Sequence, residues 1–171
     1  MKTLIIGEAS SGKTAYLLTI AKNEAMVGNQ VIMYTGESPS YISELNKKLN
    51  YSKNSVITGN IVVIHGRTSL ETITSNLFNG NKFDTVLIDG LQYLLDIEDS
   101  NECYTKLNDL LHMPRTNVYL TLPSRKNHEP NSSAWLWSTV DRVLELSSSK
   151  KEVKILKSRT GKTGTFPIEL F

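Results

Sequence analysis

The stretch Thr3-Leu-Ile-Ile-Gly7-Glu8-Ala9-Ser10-Ser11-Gly12-Lys13-Thr14, "TLIIGEASSGKT", decides the reading of this chain. A short apolar run ends at Gly7, four residues follow, and Gly12-Lys13-Thr14 opens a segment whose apolar residues recur at helical spacing. Strand, glycine-punctuated loop and helix in that order make a P-loop, where backbone N–H groups and a helix N-terminus surround phosphate. Gly7 and Gly12 let the backbone turn without a Cβ, and Glu8, Ala9, Ser10 and Ser11 bring the loop amides to the phosphates. Lys13 reaches the β- and γ-phosphates, and the Thr14 hydroxyl completes a magnesium shell.

A P-loop needs a second acid for the metal, at the end of a neighbouring buried strand. "TVLIDG" supplies Asp89 after Val86-Leu87-Ile88, at the carboxyl end of a strand, where open α/β sheets bind ligands. The competing role for Asp89 is to cap a turn with Gly90. Asp84 precedes the apolar run and reads as solvated. Hydrolysis also needs a group that orients or deprotonates water, and "VIMYTGESPS" offers Glu37 at the end of strand two, read as one strand over from the P-loop. A glutamate there also gains from a helix dipole, so the spacing alone leaves both roles open.

Composition sets the frame. With 171 residues, 39% hydrophobic, 21% charged and net charge +2, the chain reads as one soluble globular domain, residues 1–171, attracted to nucleic acid only where basic residues cluster. One cysteine, Cys103, allows neither an internal disulfide nor a cysteine-based zinc site and reads as a buried or surface thiol. The opening apolar run is too short for a signal peptide, and no stretch approaches the roughly 20 apolar residues of a membrane span. The expectation is a cytoplasmic protein with no membrane partner.

Strands and helices then alternate. "QVIMYTG", "NIVVIHG", "FDTVLIDG" and "TNVYLTL" read as strands two to five, and Lys13–Val27, "SPSYISELNKKL", "SLETITSNLF" and "NECYTKLNDLLH" as helices. Gly28 stops the first helix; Ser38 caps the second, with Pro39 at its first position. Strands separated by helices pair in parallel, predicting a three-layer α/β sandwich. Beyond Pro123, "SRKNHEPNSSAWLWS" reads as polar and turn-rich. "DRVLELSS", "KEVKILKSR" and "GTFPIELF" read as closely spaced antiparallel strands added at a sheet edge.

Four stretches, "GEASSGKT", "NQVIMYTGESPSYI", "FDTVLIDGLQYL" and "KEVKILKSRTGKTGTFPIELF", resemble the RecA-like P-loop ATPases, and within them the core of DnaB-type replicative helicases. The resemblance spans nearly the whole chain. It implies ATP and Mg2+ as cofactors, Glu37 as the base, and Lys157 and Arg159 as fingers reaching the γ-phosphate on an adjacent subunit. Taken by themselves, the basic residues of "KEVKILKSRTGK" alternate with apolar ones as on a half-exposed strand, and Lys162 falls outside the finger pattern.

The chain also departs from that family. The glutamine that senses the γ-phosphate and relays to DNA is replaced around Leu122, Pro123 and Ser124; Thr121 or Ser124 is the available polar substitute. In the loop that follows, Arg125 and Lys126 with Trp135 and Trp137 suit single-stranded DNA, cations following phosphate and rings stacking on bases, although tryptophans so placed also serve packing. His65 and His128 read as ordinary polar residues. The first core strand starts at once, so no separate N-terminal domain is expected, and a homo-oligomer would be a weak or DNA-dependent ring or part of a larger replication complex. The expected function is a minimal DnaB-like helicase or translocase, or an accessory replication or recombination ATPase. The alternatives are a nucleotide-binding regulator or loader subunit and a small-molecule kinase.

Overall fold

The computed structural model describes residues 1–49, 59–78, 82–92, 100–124, 131–147, 149 and 152–167. Along the chain run β1 (Lys2–Gly7), α1 (Lys13–Met26), β2 (Val31–Thr35), α2 (Pro39–Lys48), β3 (Ile61–His65), α3 (Leu70–Phe78) and β4 (Thr85–Asp89). They are followed by α4 (Ser100–His112), β5 (Asn117–Pro123), α5 (Asn131–Thr139), β6 (Arg142–Ser147), β7 (Glu152–Ser158) and β8 (Gly164–Pro167). The strands of these residues form one eight-stranded sheet in the order β3-β2-β4-β5-β1-β6-β7-β8.

The central strands are apolar on both faces because both faces are covered. Alternate residues of β1, β2, β4 and β5 enter different cores. Leu4, Ile32, Ile88 and Leu120 pack with α3, α4 and α5, whereas Ile5, Met33, Leu87 and Tyr119 pack with α1 and α2. Each fully buried leucine or isoleucine contributes about 1.5–3 kcal/mol through removal of apolar surface from water. The helix ends follow local sequence: the Ser38 hydroxyl accepts from Tyr41 N at 3.2 Å with Pro39 next in line, and Gly28 leaves α1 at φ 90°. Cys103, a residue of α4, is buried in the core. Asp84 is exposed as expected, and its carboxylate accepts from Gln30 N at 2.8 Å.

The three-layer sandwich and mostly parallel sheet match the expectation; three details differ. First, β6 is not an antiparallel edge strand. It pairs in parallel with β1 inside the sheet, and only β7 and β8 run antiparallel beyond it. Second, residues 131–139 of the segment read as polar and turn-rich form helix α5. Leu136 and Val140, one helical turn apart, are fully buried in the α3–α5 core, and that packing overrides the weak local signal. Third, Glu37 is not one strand over from the P-loop. β5 and β4 lie between β1 and β2 because the first crossover skips two positions that later strands fill.

Candidate nucleotide site

The carboxyl ends of the parallel strands build the site. After β1 the loop closes with Ser11 N donating to Glu8 O at 3.1 Å. Ser10 at φ 60° and Gly12 at φ 87° take left-handed conformations that turn the chain into α1. Gly7 sits where no side chain fits. A Cβ there would run into Ser11 Oγ and lie 2.9 Å from the carbonyl oxygen of Leu146 on β6. Gly7→Ala must therefore displace the loop or a strand, and affinity for ATP should fall about tenfold or more in a nucleotide titration.

Lys13 Nζ donates to Gly7 O at 2.9 Å, Glu8 O at 2.8 Å and Ser11 Oγ at 3.4 Å, which holds the ammonium over the loop. Burial holds the Lys13 pKa below its usual value, and the Asp89 carboxylate offsets only part of that lowering. Thr14 Oγ1 donates to Asp89 Oδ2 at 2.7 Å, so the first turn of α1 reaches across β5 to the end of β4. Asp89 receives two further hydroxyls, Thr35 Oγ1 on Oδ2 at 3.2 Å and Thr121 Oγ1 on Oδ1 at 2.9 Å. Thr121 Oγ1 in turn accepts from Gly90 N at 2.7 Å.

Thr14 and Asp89 offer a hydroxyl and a carboxylate side by side, hard oxygen donors that suit Mg2+ completed by phosphate oxygens and water. Among the described residues no three His, Cys, Asp or Glu converge as an all-protein metal cage. Glu37 stands exposed on the loop after β2. Its N–H donates to Thr35 Oγ1 at 3.1 Å. Its carbonyl lies 3.1 Å from His65 Nδ1, which must carry the hydrogen because a carbonyl only accepts. Glu37 and Lys13 line one open cleft of about 820 Å³, shared with Arg67, Gln92, Thr121 and Pro123.

Lys157 and Arg159 lie elsewhere. Lys157 Nζ donates to the carbonyls of Trp137, Ser138 (3.2 Å) and Val140 (2.9 Å), closing the C-terminal end of α5. Arg159 pairs with Asp141 at 2.8 Å and donates to Thr139 O at 3.2 Å. Asp141 N donates to Lys2 O, so the pair sits where β1 begins, at the sheet edge opposite the P-loop. Trp135 is half-buried and meets Tyr104 edge to face at 5.7 Å. Trp137 likewise packs against the core. Arg125, Lys126 and His128 fall outside the described residues.

Thr35, Arg67 and the bond from His65 were not anticipated. The hydroxyl two residues before Glu37 is the one local hint of Thr35, and its role appears only through the register that sets it opposite Asp89.

Fold and loop together define a RecA-like P-loop architecture. Among solved structures, the crystal structure of flagellar accessory protein FlaH from Methanocaldococcus jannaschii is similar, with TM-score 0.73 and 16% identity, covering 98% of this chain and 85% of that one. The KaiC-like protein PH0186 from Pyrococcus horikoshii is also similar, with TM-score 0.72 and 17% identity, covering 97% and 83%. No protein-family model and no curated protein matches the sequence. The likeness shows the RecA-like fold and does not single out the DnaB-type core within it. Among the described residues no helix is long and apolar enough to cross a membrane.

Proposed function

We propose that the chain is a magnesium-dependent ATPase whose catalytic site is completed by a neighbouring copy. The observation that carries this reading is the convergence of Lys13, Thr14 and Asp89 with Glu37 around one cleft. Thr14 and Asp89 would hold Mg2+, which would supply charge compensation to the phosphoryl group being transferred. Glu37 orients a water and accepts its proton as the water oxygen bonds to the γ-phosphorus and the bond to the ADP oxygen breaks. Lys13 and the loop amides offset the charge on the products, ADP and inorganic phosphate.

Lys157 and Arg159 fit a neighbour's site better than their own. They sit at the start of β1 and the P-loop follows its end, and a six-residue strand spans roughly 17 Å. Single-stranded DNA is the proposed partner, on the strength of Arg125, Lys126 and the resemblance of the four sequence stretches to DnaB-type cores.

A second reading, an accessory ATPase that does not act on DNA, is favoured by one observation. Pro123 occupies the end of β5, where the relay glutamine is expected, and Thr121 is committed to Asp89. FlaH, with the same fold, is described as a flagellar accessory protein.

Phosphate release from ATP with Mg2+, measured at several protein concentrations with and without single-stranded DNA, separates these readings. A rate per subunit that rises with both supports the DNA-coupled assembly. A rise with concentration alone selects the accessory ATPase. A rate independent of both removes the trans site, and loss of ATP phosphate only when a small-molecule acceptor is added would identify a kinase.

A further inference from the structure

We infer that Thr35 is a positioning residue that ties the loop carrying Glu37 to the metal-binding carboxylate; the inference rests on the ATPase reading above. Thr35 ends β2, and its register partners are the end residues of both neighbouring strands, Asp89 on β4 and His65 on β3. The row His65-Thr35-Asp89 therefore crosses the sheet edge directly beneath the cleft.

Thr35 is 2% exposed, and its hydroxyl has one hydrogen to give. Asp89 Oδ2 only accepts and the Glu37 N–H only donates, so the orientation is fixed. Thr35 Oγ1 donates to Asp89 at 3.2 Å and accepts from Glu37 N at 3.1 Å. On the far side His65 Nδ1 holds the Glu37 carbonyl, and Gly66 N donates to Thr35 O at 3.0 Å. Both backbone groups of Glu37 are thus anchored by side chains while its carboxyl group stays at the exposed rim. Asp89 Oδ2 also takes the Thr14 hydroxyl, so one carboxylate oxygen joins the P-loop helix to the base loop. A shift of the metal shell is passed through Thr35 to the backbone of the base.

A threonine at a buried strand end has a plainer role, β-branched packing, and the two are separable. Valine keeps the shape and strand preference but not the hydroxyl; serine keeps the hydroxyl and loses the methyl. Steady-state phosphate release should show kcat for Thr35→Val reduced on the order of tenfold, with KM for ATP changed less than about twofold and a higher Mg2+ concentration for half-maximal rate. Thr35→Ser should recover kcat to within about threefold of wild type even if its melting temperature is lower.

Unchanged kcat and Mg2+ dependence in Thr35→Val overturns the proposal. So does an equal loss in the serine variant. Should Thr35→Val fail to fold, His65→Leu at the exposed anchor is the second variant: a reduced kcat at constant KM supports the two-point hold, and wild-type kcat overturns it. Wild-type protein that does not hydrolyse ATP overturns the ATPase reading and this proposal together, and hydrolysis that does not depend on Glu37 overturns this proposal alone. Wild-type hydrolysis that depends on Glu37 but not on the Thr35 hydroxyl overturns this proposal alone.

Discussion

Replacing Glu37 with glutamine is expected to lower phosphate release by about 10²–10⁴-fold while leaving ATP binding close to wild type. The amide has the size of the carboxylate but cannot take a proton from water. The exchange leaves the local geometry intact, because Glu37 is held through its backbone, by Thr35 Oγ1 on the N–H and His65 Nδ1 on the carbonyl. Binding depends on Lys13, the loop amides and the Thr14–Asp89 pair, none of which contact the Glu37 side chain in the bonds described. Single-turnover phosphate release beside a fluorescent-nucleotide titration measures the two quantities separately. A Glu37→Gln protein that hydrolyses at the wild-type rate would move the base to another residue of the cleft.

Arg159→Ala should reduce hydrolysis by about 10³–10⁵-fold, the range of an arginine that meets transferring phosphate from another chain. The loss would not reflect unfolding. The Arg159 side chain is 62% exposed in its pair with Asp141, and an exposed pair contributes only about 0–1 kcal/mol. For the same reason the guanidinium can leave Asp141 readily when a neighbour arrives. Lys157 is the poorer probe, because it closes the carbonyl end of α5 and its removal strips that helix of its cap. The decisive version mixes two inactive proteins. An Arg159→Ala subunit keeps its Glu37, and a Glu37→Gln neighbour supplies Arg159, so random association restores about a quarter of the wild-type rate. Fingers acting within one chain would leave the mixture inactive.

What the sequence made legible was what depends on contiguous residues. The P-loop is a strand, a turn and a helix start in one stretch, and its glycines mark the position where a Cβ would meet Ser11 and Leu146 and one of the two positions with positive φ. Asp89 was legible because a buried strand is an unbroken apolar run and its last residue must face the ligand edge. Lateral position was not legible. The sequence order of strands says nothing of β5 and β4 standing between β1 and β2, so sequence order alone puts Glu37 beside the wrong neighbour. The hydroxyls of Thr35 and Thr121 matter through cross-strand register, which no local pattern encodes. Helix α5 is hidden because Ala134-Trp135-Leu136-Trp137 lacks an amphipathic stripe, and what favours it is tertiary: the burial of Leu136 and Val140 and the Lys157 cap.

The opposite placement of P-loop and Arg159 carries a consequence for symmetry. A surface that gives an arginine and a separate surface that receives it can join chains head to tail, a heterologous contact that repeats from one chain to the next. Two chains joined this way hold one complete site, and an open string of n chains holds n − 1. Only closure adds the last. Turnover per chain would therefore climb from half of its limit in the pair toward the full value, and the final increment would report the moment the string meets its own end.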